Sequence, residues 1–275
     1  MPIPLRLAPL ALVIALVGCQ PAPPPSASPE AAPAVPQPVL ATYADTLAMR
    51  AYEASGGLEA WASVPFLRFD FGVERDGERS VFRHHLWDRQ TGAYRVEWSP
   101  GEDTTYVAVF DVDTQDGDVY LNGDPVTAEV KPDLMAQAYR AYINDTYWML
   151  FPIKLMDEGV NRTYMPDSSQ GTTEVIHLTF GNVGMTPGDQ YWATIDAATG
   201  QVTDWSFVLQ SRPEGPARAY TWTDYVTLEA PGGPIEVAQR KQAAGGGVAL
   251  LTDNVAVLTE VTAEQFAQPT AWLGS

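Results

Sequence analysis

The sequence predicts a mainly β (α+β) fold, an open and curved antiparallel meander of about ten strands with helices laid over it. Three observations predict it. From Phe66 onward apolar residues recur at every second position. Glycine-containing turns separate these runs at intervals of about ten residues, the spacing of hairpins. One helical pattern interrupts the series after the fifth strand. A closed barrel has no need of it, whereas an open sheet has an apolar face that something must cover.

The elements follow in order. In ATYADTLAMRAYEASGG, Leu47, Ala48, Ala51, Tyr52 and Ala54 give a helical stripe, and Gly56-Gly57 stops it because glycine accepts a left-handed conformation. A short turn of helix, Leu58 to Ser63, leads to the first strand, where Leu67, Phe69, Phe71 and Val73 share one face. SVFRHHLWD, AYRVEW, TTYVAVFDV and DVYL follow across short turns. KPDLMAQAYRAYIN, from Lys131 to Asn144, is the interrupting helix, with Pro132 in its first turn. We read the next stretch, NDTYWMLFPIKL, as leaving the helix at Asn144-Asp145 and continuing extended beneath it, with Asp145 and Lys154 marking where it surfaces. Its six apolar residues from Trp148 to Ile153 cannot cross a bilayer, which takes about 20. The meander resumes with TEVIHLTF, QYWATIDA, VTDWSFVLQ and ARAYTWTDYVTLE, then strands around 235–240 and 247–258 and a last helical turn at 262–266.

The chain starts differently. MPIPLRLAPLALVIALVGC carries one basic residue, Arg6, then an apolar run, then Gly18 and Cys19, which is the layout of a secretory signal peptide over residues 1–18. Leu16-Val17-Gly18-Cys19 resembles the lipobox of bacterial lipoproteins, which implies a Cys19 bearing diacylglyceryl and palmitate-type chains. Cys19 is the only cysteine, so no disulfide competes for it. In that family an aspartate after the cysteine favours the inner membrane, so Gln20 points to an outer-membrane anchor facing the periplasm. Residues 19–40 continue as a tether rich in proline and alanine, reaching at most about 60 Å at about 3.1 Å per residue. The folded domain is then 41–275.

Net charge is −18, from 34 acidic against 16 basic residues, with only three lysines. Such a surface repels nucleic acid and anionic headgroups, and it suits a salt-rich medium. Three histidines exist. His84 and His85 are adjacent on a strand, so they point to opposite faces and cannot chelate one metal together. Pairing of either with His177 and an aspartate is the one metal arrangement left open, beside the plainer reading as ordinary strand residues. Asp111 to Asn122 approaches a calcium loop, but Asp116 stands where glycine belongs and Asn122 where glutamate does. There is no G-x-S-x-G, no phosphate-cradling glycine loop and no H-E-x-x-H. We therefore expect neither an enzyme nor a bound cofactor or metal.

The order of these parts resembles one family. A lipobox and tether, a helix ending in Gly56-Gly57, Trp61, the inserted helix with Asn144 to Leu155, Asp157-Glu-Gly-Val160 and the hairpin Asp196 to Trp205 are similar to the LolA/LolB-like superfamily. The likeness is greatest to its bacterial lipoproteins bearing N-D-T-[YW]-W ahead of a proline-containing apolar run. It implies a half-open antiparallel β-barrel around an apolar cavity, with a helical lid, holding a lipid or a lipoprotein acyl chain. Neither the gating arginine of LolA nor the exposed loop leucine of LolB has a counterpart here, so lipoprotein insertion is not implied.

Several strands are apolar on both faces, which means that both faces are covered or that one lines a cavity. If it is a cavity, the candidate walls are Trp148, Met149, Phe151 and Ile153, with Met135, Tyr139 and Tyr142 of the helix before them. Methionine and aromatic side chains adapt to flexible chains. A structural or interaction module of the envelope, with a filled core and a protein partner, is the alternative, and a hydrolase or metal enzyme stands behind both.

Overall fold

A computed structural model describes residues 38–274 apart from Asn182, and one compact unit holds all of them. The segment read as a signal peptide, Cys19 and most of the stretch read as a tether lie outside the described residues. Helix α1 (Tyr43–Ala54) opens with a capping box between Thr42 and Asp45. Helix α2 (Gly57–Ser63) follows at once. Gly56, at φ +122°, cannot be replaced cheaply, since a Cβ there would lie 2.7 Å from the Pro234 carbonyl oxygen. Trp61 is buried and its indole N–H donates to the Ser55 carbonyl.

Six strands follow: β1 (Phe66–Arg75), β2 (Glu78–Asp88), β3 (Ala93–Gly101), β4 (Thr104–Asp111), β5 (Gly117–Leu121) and the two-residue β6 (Asp124–Pro125). Helix α3 (Lys131–Lys154) comes next. Then come β7 (Val160–Tyr164), β8 (Thr173–Phe180), β9 (Gln190–Asp196), β10 (Val202–Val208), β11 (Arg218–Ala230), β12 (Gly233–Ala243) and β13 (Val248–Leu258), with α4 (Ala263–Ala267) at the end. All belong to one 13-stranded antiparallel sheet in the order β6-β5-β4-β3-β2-β1-β13-β12-β11-β10-β9-β8-β7.

This order explains α3. The first meander runs from β1 out to one edge, the second returns from the other edge to β1, and α3 is the connection between the edges. Twelve strand intervals of about 4.8 Å make a width near 58 Å. A 24-residue helix is about 36 Å long. The sheet must therefore curl around the helix, which gives the expected open, curved architecture. The two strands that the alternation does not pick out are short: β6, and the polar edge strand β7, whose VNRTY shows no apolar alternation.

The continuous helix corrects our reading of NDTYWMLFPIKL. There is no break at Asn144-Asp145 and no extended run. Asp145 does not surface; it is fully buried. Pro152 stands two residues from the end of the helix, and lacking an N–H it cannot donate to the Trp148 carbonyl. Trp148 to Ile153 are apolar all round because this end of α3 is enclosed all round, packing with α1, α2 and the inner faces of β8 to β13.

Both faces of β1 to β3 are covered. Inside, Leu67, Phe69, Phe71, Tyr94 and Val96 meet the helices. Outside, the chain after β13 lies back over the sheet, and Leu86 packs with Phe266 and Leu273. Buried Arg95 ties that segment down: Nε donates to Glu97 (2.7 Å), Nη1 to the Phe266 and Gln268 carbonyls and Nη2 to that of Thr270. The acidic turn read against a calcium loop is a hairpin in which Asp111 Oδ1 accepts from the backbone N–H groups of Asp113 and Thr114. Asp88 and Asp196 close their own turns in the same way. No described helix is long and apolar enough to cross a membrane.

Candidate functional site

The curl leaves space between α3 and the second meander. A cavity of about 690 Å³ lies there. Ile143, Tyr147 and Trp148 of α3 form one wall. Inward-facing residues of six strands form the other: Phe71 and Val73 of β1, Phe180 of β8, Tyr191 of β9, Trp205 and Phe207 of β10, Tyr220 of β11 and Leu250 of β13. The inward side of a strand takes every second residue, so Trp205 and Phe207 share this face with Tyr220, which pairs with Trp205 in the ladder. Trp148 packs tilted against Trp205 at 4.2 Å and edge to face with Tyr220 at 4.9 Å between centroids, while Phe207 and Tyr220 stack. Phe151 stacks on Trp205 from behind, at 4.5 Å.

The loop between β8 and β9 forms the lip, with exposed Val183 and Met185. Its base is fixed by buried Asp189, which accepts from the Thr186 hydroxyl (2.8 Å), the Tyr191 hydroxyl (3.0 Å) and the Gln210 N–H (2.8 Å). Burial and this carboxylate push the Tyr191 hydroxyl far up, so it remains a donor. Burial likewise keeps Tyr147 protonated. The Trp205 indole N–H is buried without an acceptor in the protein.

A second cavity, about 400 Å³, lies on the other side of α3 against β2 and β3. The two share Arg83, Arg140 and Asn144 in their walls. Under that shared wall sits a buried polar network. Arg83 holds Asp145 through Nε (2.6 Å) and Nη2 (2.8 Å). His85 Nε2 is 3.0 Å from the same carboxylate, while its Nδ1 meets the Tyr94 hydroxyl at 2.8 Å. Burial alone would raise the Asp145 carboxyl, but His85 and Arg83 hold it below its usual range. Burial drives His85 downward, towards the neutral ring.

The residues singled out in the sequence are divided by the structure. Trp148 lines the larger cavity. Met149, Phe151 and Ile153 are buried in the core that backs it. Met135, Tyr139 and Tyr142 lie elsewhere, in the cluster with Tyr94, Val96 and Phe110 towards the β3 to β5 side. The strand aromatics of the cavity were missed as a set, although the inward alternation of Trp205, Phe207 and Tyr220 was a signal for them. The histidines do not converge. His84 bonds Asp70 at 2.7 Å on the outer face, His85 faces inward, and His177 stacks on Trp192 and bonds Gln190.

No protein-family model matches the chain, and no curated protein matches it significantly. Solved structures similar to it include a DUF1329 family protein from Desulfovibrio piger (9% identity, 80% of this chain and 94% of that one, TM-score 0.45). A putative outer membrane lipoprotein-sorting protein domain from Vibrio parahaemolyticus is another (10% identity, 81% and 95%, TM-score 0.43). A LolA superfamily protein from Nitrosomonas europaea is a third (10% identity, 83% and 99%, TM-score 0.39).

Proposed function

We propose that the protein is a non-enzymatic carrier or sensor of the cell envelope that holds a lipid or acyl chain in the larger cavity. The observation that carries this reading is the cavity itself: about 690 Å³ between α3 and the inner sheet face, walled by aromatic and aliphatic side chains. Ligand sites commonly measure about 300 to 1,000 Å³ and are mostly apolar with a few polar groups. A filled-core interaction module would have no use for such a space. The anchor in this proposal is Cys19, lipidated at the outer membrane, with the proline-rich tether letting the domain stand in the periplasm.

The core and every strand ladder lie within residues 41–275, so this segment is self-sufficient for testing. Native mass spectrometry of it, purified from the envelope without detergent, should show adducts of lipid mass, and the empty protein should take up a fluorescent fatty acid. A ligand-free mass together with no uptake would overturn the carrier reading. Cys19→Ala in the whole chain should move the protein from membrane to soluble fraction.

A further inference from the structure

The two cavities meet at Arg83, Arg140 and Asn144 but differ in chemistry. The larger is walled mainly by rings and aliphatic groups. The smaller presents Ser80, Ser99, Gln137 and Asn144 with both arginines, and no carboxylate lines it. That is unusual in a chain with 34 acidic and 16 basic residues. Elsewhere five arginines, Arg68, Arg79, Arg95, Arg162 and Arg240, are neutralised locally in ion pairs with carboxylates. Arg140 is exposed and has no ion-pair partner among the described residues. Arg83 commits Nε and Nη2 to Asp145, which balances its charge, and leaves Nη1 uncommitted. The shared wall thus carries one unbalanced positive charge and a spare guanidinium N–H, placed where an apolar cavity gives way to a polar one.

We propose that the smaller cavity receives the anionic head group of an amphiphile, a carboxylate or a phosphate, whose chain lies in the larger one. This rests on the acyl-chain reading above and adds to it the class of ligand. Arg140 supplies the counter-charge, and its planar guanidinium can meet two oxygens of the anion at once. Arg83 Nη1 adds a donor held rigid by Asp145.

The test uses residues 41–275 and two probes sharing one chain and fluorophore, 11-(dansylamino)undecanoic acid and its methyl ester. The acid should bind about tenfold more tightly than the ester at low salt, as a charge-assisted bond at a partly exposed site allows. Sodium chloride should narrow the gap. Arg140→Gln should bring the acid down to the ester and leave the ester unchanged, and Arg140→Lys should restore part of the difference. Arg218→Gln is the control for charge in general, since Arg218 lines only the larger cavity; it should leave the gap nearly intact. Equal binding of acid and ester by the unmodified protein would overturn the head-group assignment and leave the apolar cavity standing. Collapse of the gap in Arg218→Gln would place the anion elsewhere and overturn the smaller cavity as its site. Inorganic phosphate binding as tightly as the acid, and dependent on Arg140, would make this a free-anion site and overturn the lipid assignment. Binding of neither probe would overturn both readings.

Discussion

Arg83 grips Asp145 with two nitrogens, Nε at 2.6 Å from Oδ2 and Nη2 at 2.8 Å from Oδ1, and so pins the middle of α3 to β2. The carboxylate is fully buried, and the Asn144 amide and His85 lie against it as well. Removing one partner of such a pair leaves a buried charge uncompensated, at a cost of about 3–5 kcal/mol. Replacing both by apolar groups of similar size costs far less. Asp145→Ala and Arg83→Ala should each lower unfolding stability in urea by that order, while the Arg83→Met/Asp145→Leu double variant should lie closer to the unmodified protein. Additive losses in the cycle would mean that the two side chains act separately.

The same network should shape the acid response. Burial holds His85 below its usual value of 6.5, so between that value and its folded one the unfolded chain binds more protons and stability falls as pH falls. The carboxyl of Asp145 is lowered despite burial, by His85 and Arg83; that of Asp70 is lowered likewise, by His84 and Asn254. Their contributions are complete above the usual value of 3.8 and are lost as pH drops through the folded values. Urea midpoints should therefore decline in two stages, below about pH 6.5 and again below about pH 4. His85→Phe should abolish the upper stage and keep the lower one. A single decline confined to pH below 4 would show that His85 does not titrate between the states.

These groups also show what was legible in the sequence. Alternation gave the strands, and the adjacency of His84 and His85 gave their opposite faces without any structure. The second half of α3 was not legible, because Asn144, Asp145 and Pro152 all argue locally for a break. What overrides them is non-local: Arg83, the partner of Asp145, is 62 residues earlier in the chain. The cavity was half legible for the same reason. Trp148 was visible within a concentrated apolar run, whereas Tyr191, Trp205, Phe207 and Tyr220 become one wall only when three strands are set in register.

Lys241 predicts an alkaline effect of the same origin as that of His85, a buried base pushed towards its neutral form. It is fully buried between β11 and β13, donating to the Ala238 carbonyl and the Thr252 hydroxyl at 2.6 Å each, 5.1 Å above the Trp222 ring centre. Burial lowers its pKa from 10.5 to about 7. Between these values the unfolded chain holds the extra proton, so stability rises with pH, by at most about 1.4 kcal/mol per pH unit. Below about pH 7 both states are charged and the penalty is constant. Guanidinium unfolding at pH 7.5, 8.5 and 9.5 should show this rise in the unmodified protein and not in Lys241→Met. Parallel pH profiles for the two would place the titration elsewhere.

Occupancy of the larger cavity can be read from its own tryptophans. Trp148 and Trp205 line it, two of the eight in the chain. A bromine atom quenches indole emission only near contact, so a fatty acid brominated in mid-chain should remove roughly a quarter of the total signal. Phenylalanine keeps an aromatic wall at each site with little change in apolar contact. The Trp148→Phe/Trp205→Phe variant should thus still bind the chain by native mass spectrometry while the quenching disappears. Quenching that persists in the double variant would put the chain beside other tryptophans, such as Trp98 in the smaller cavity. The order of tail and head across the Arg83–Arg140 wall would then be reversed.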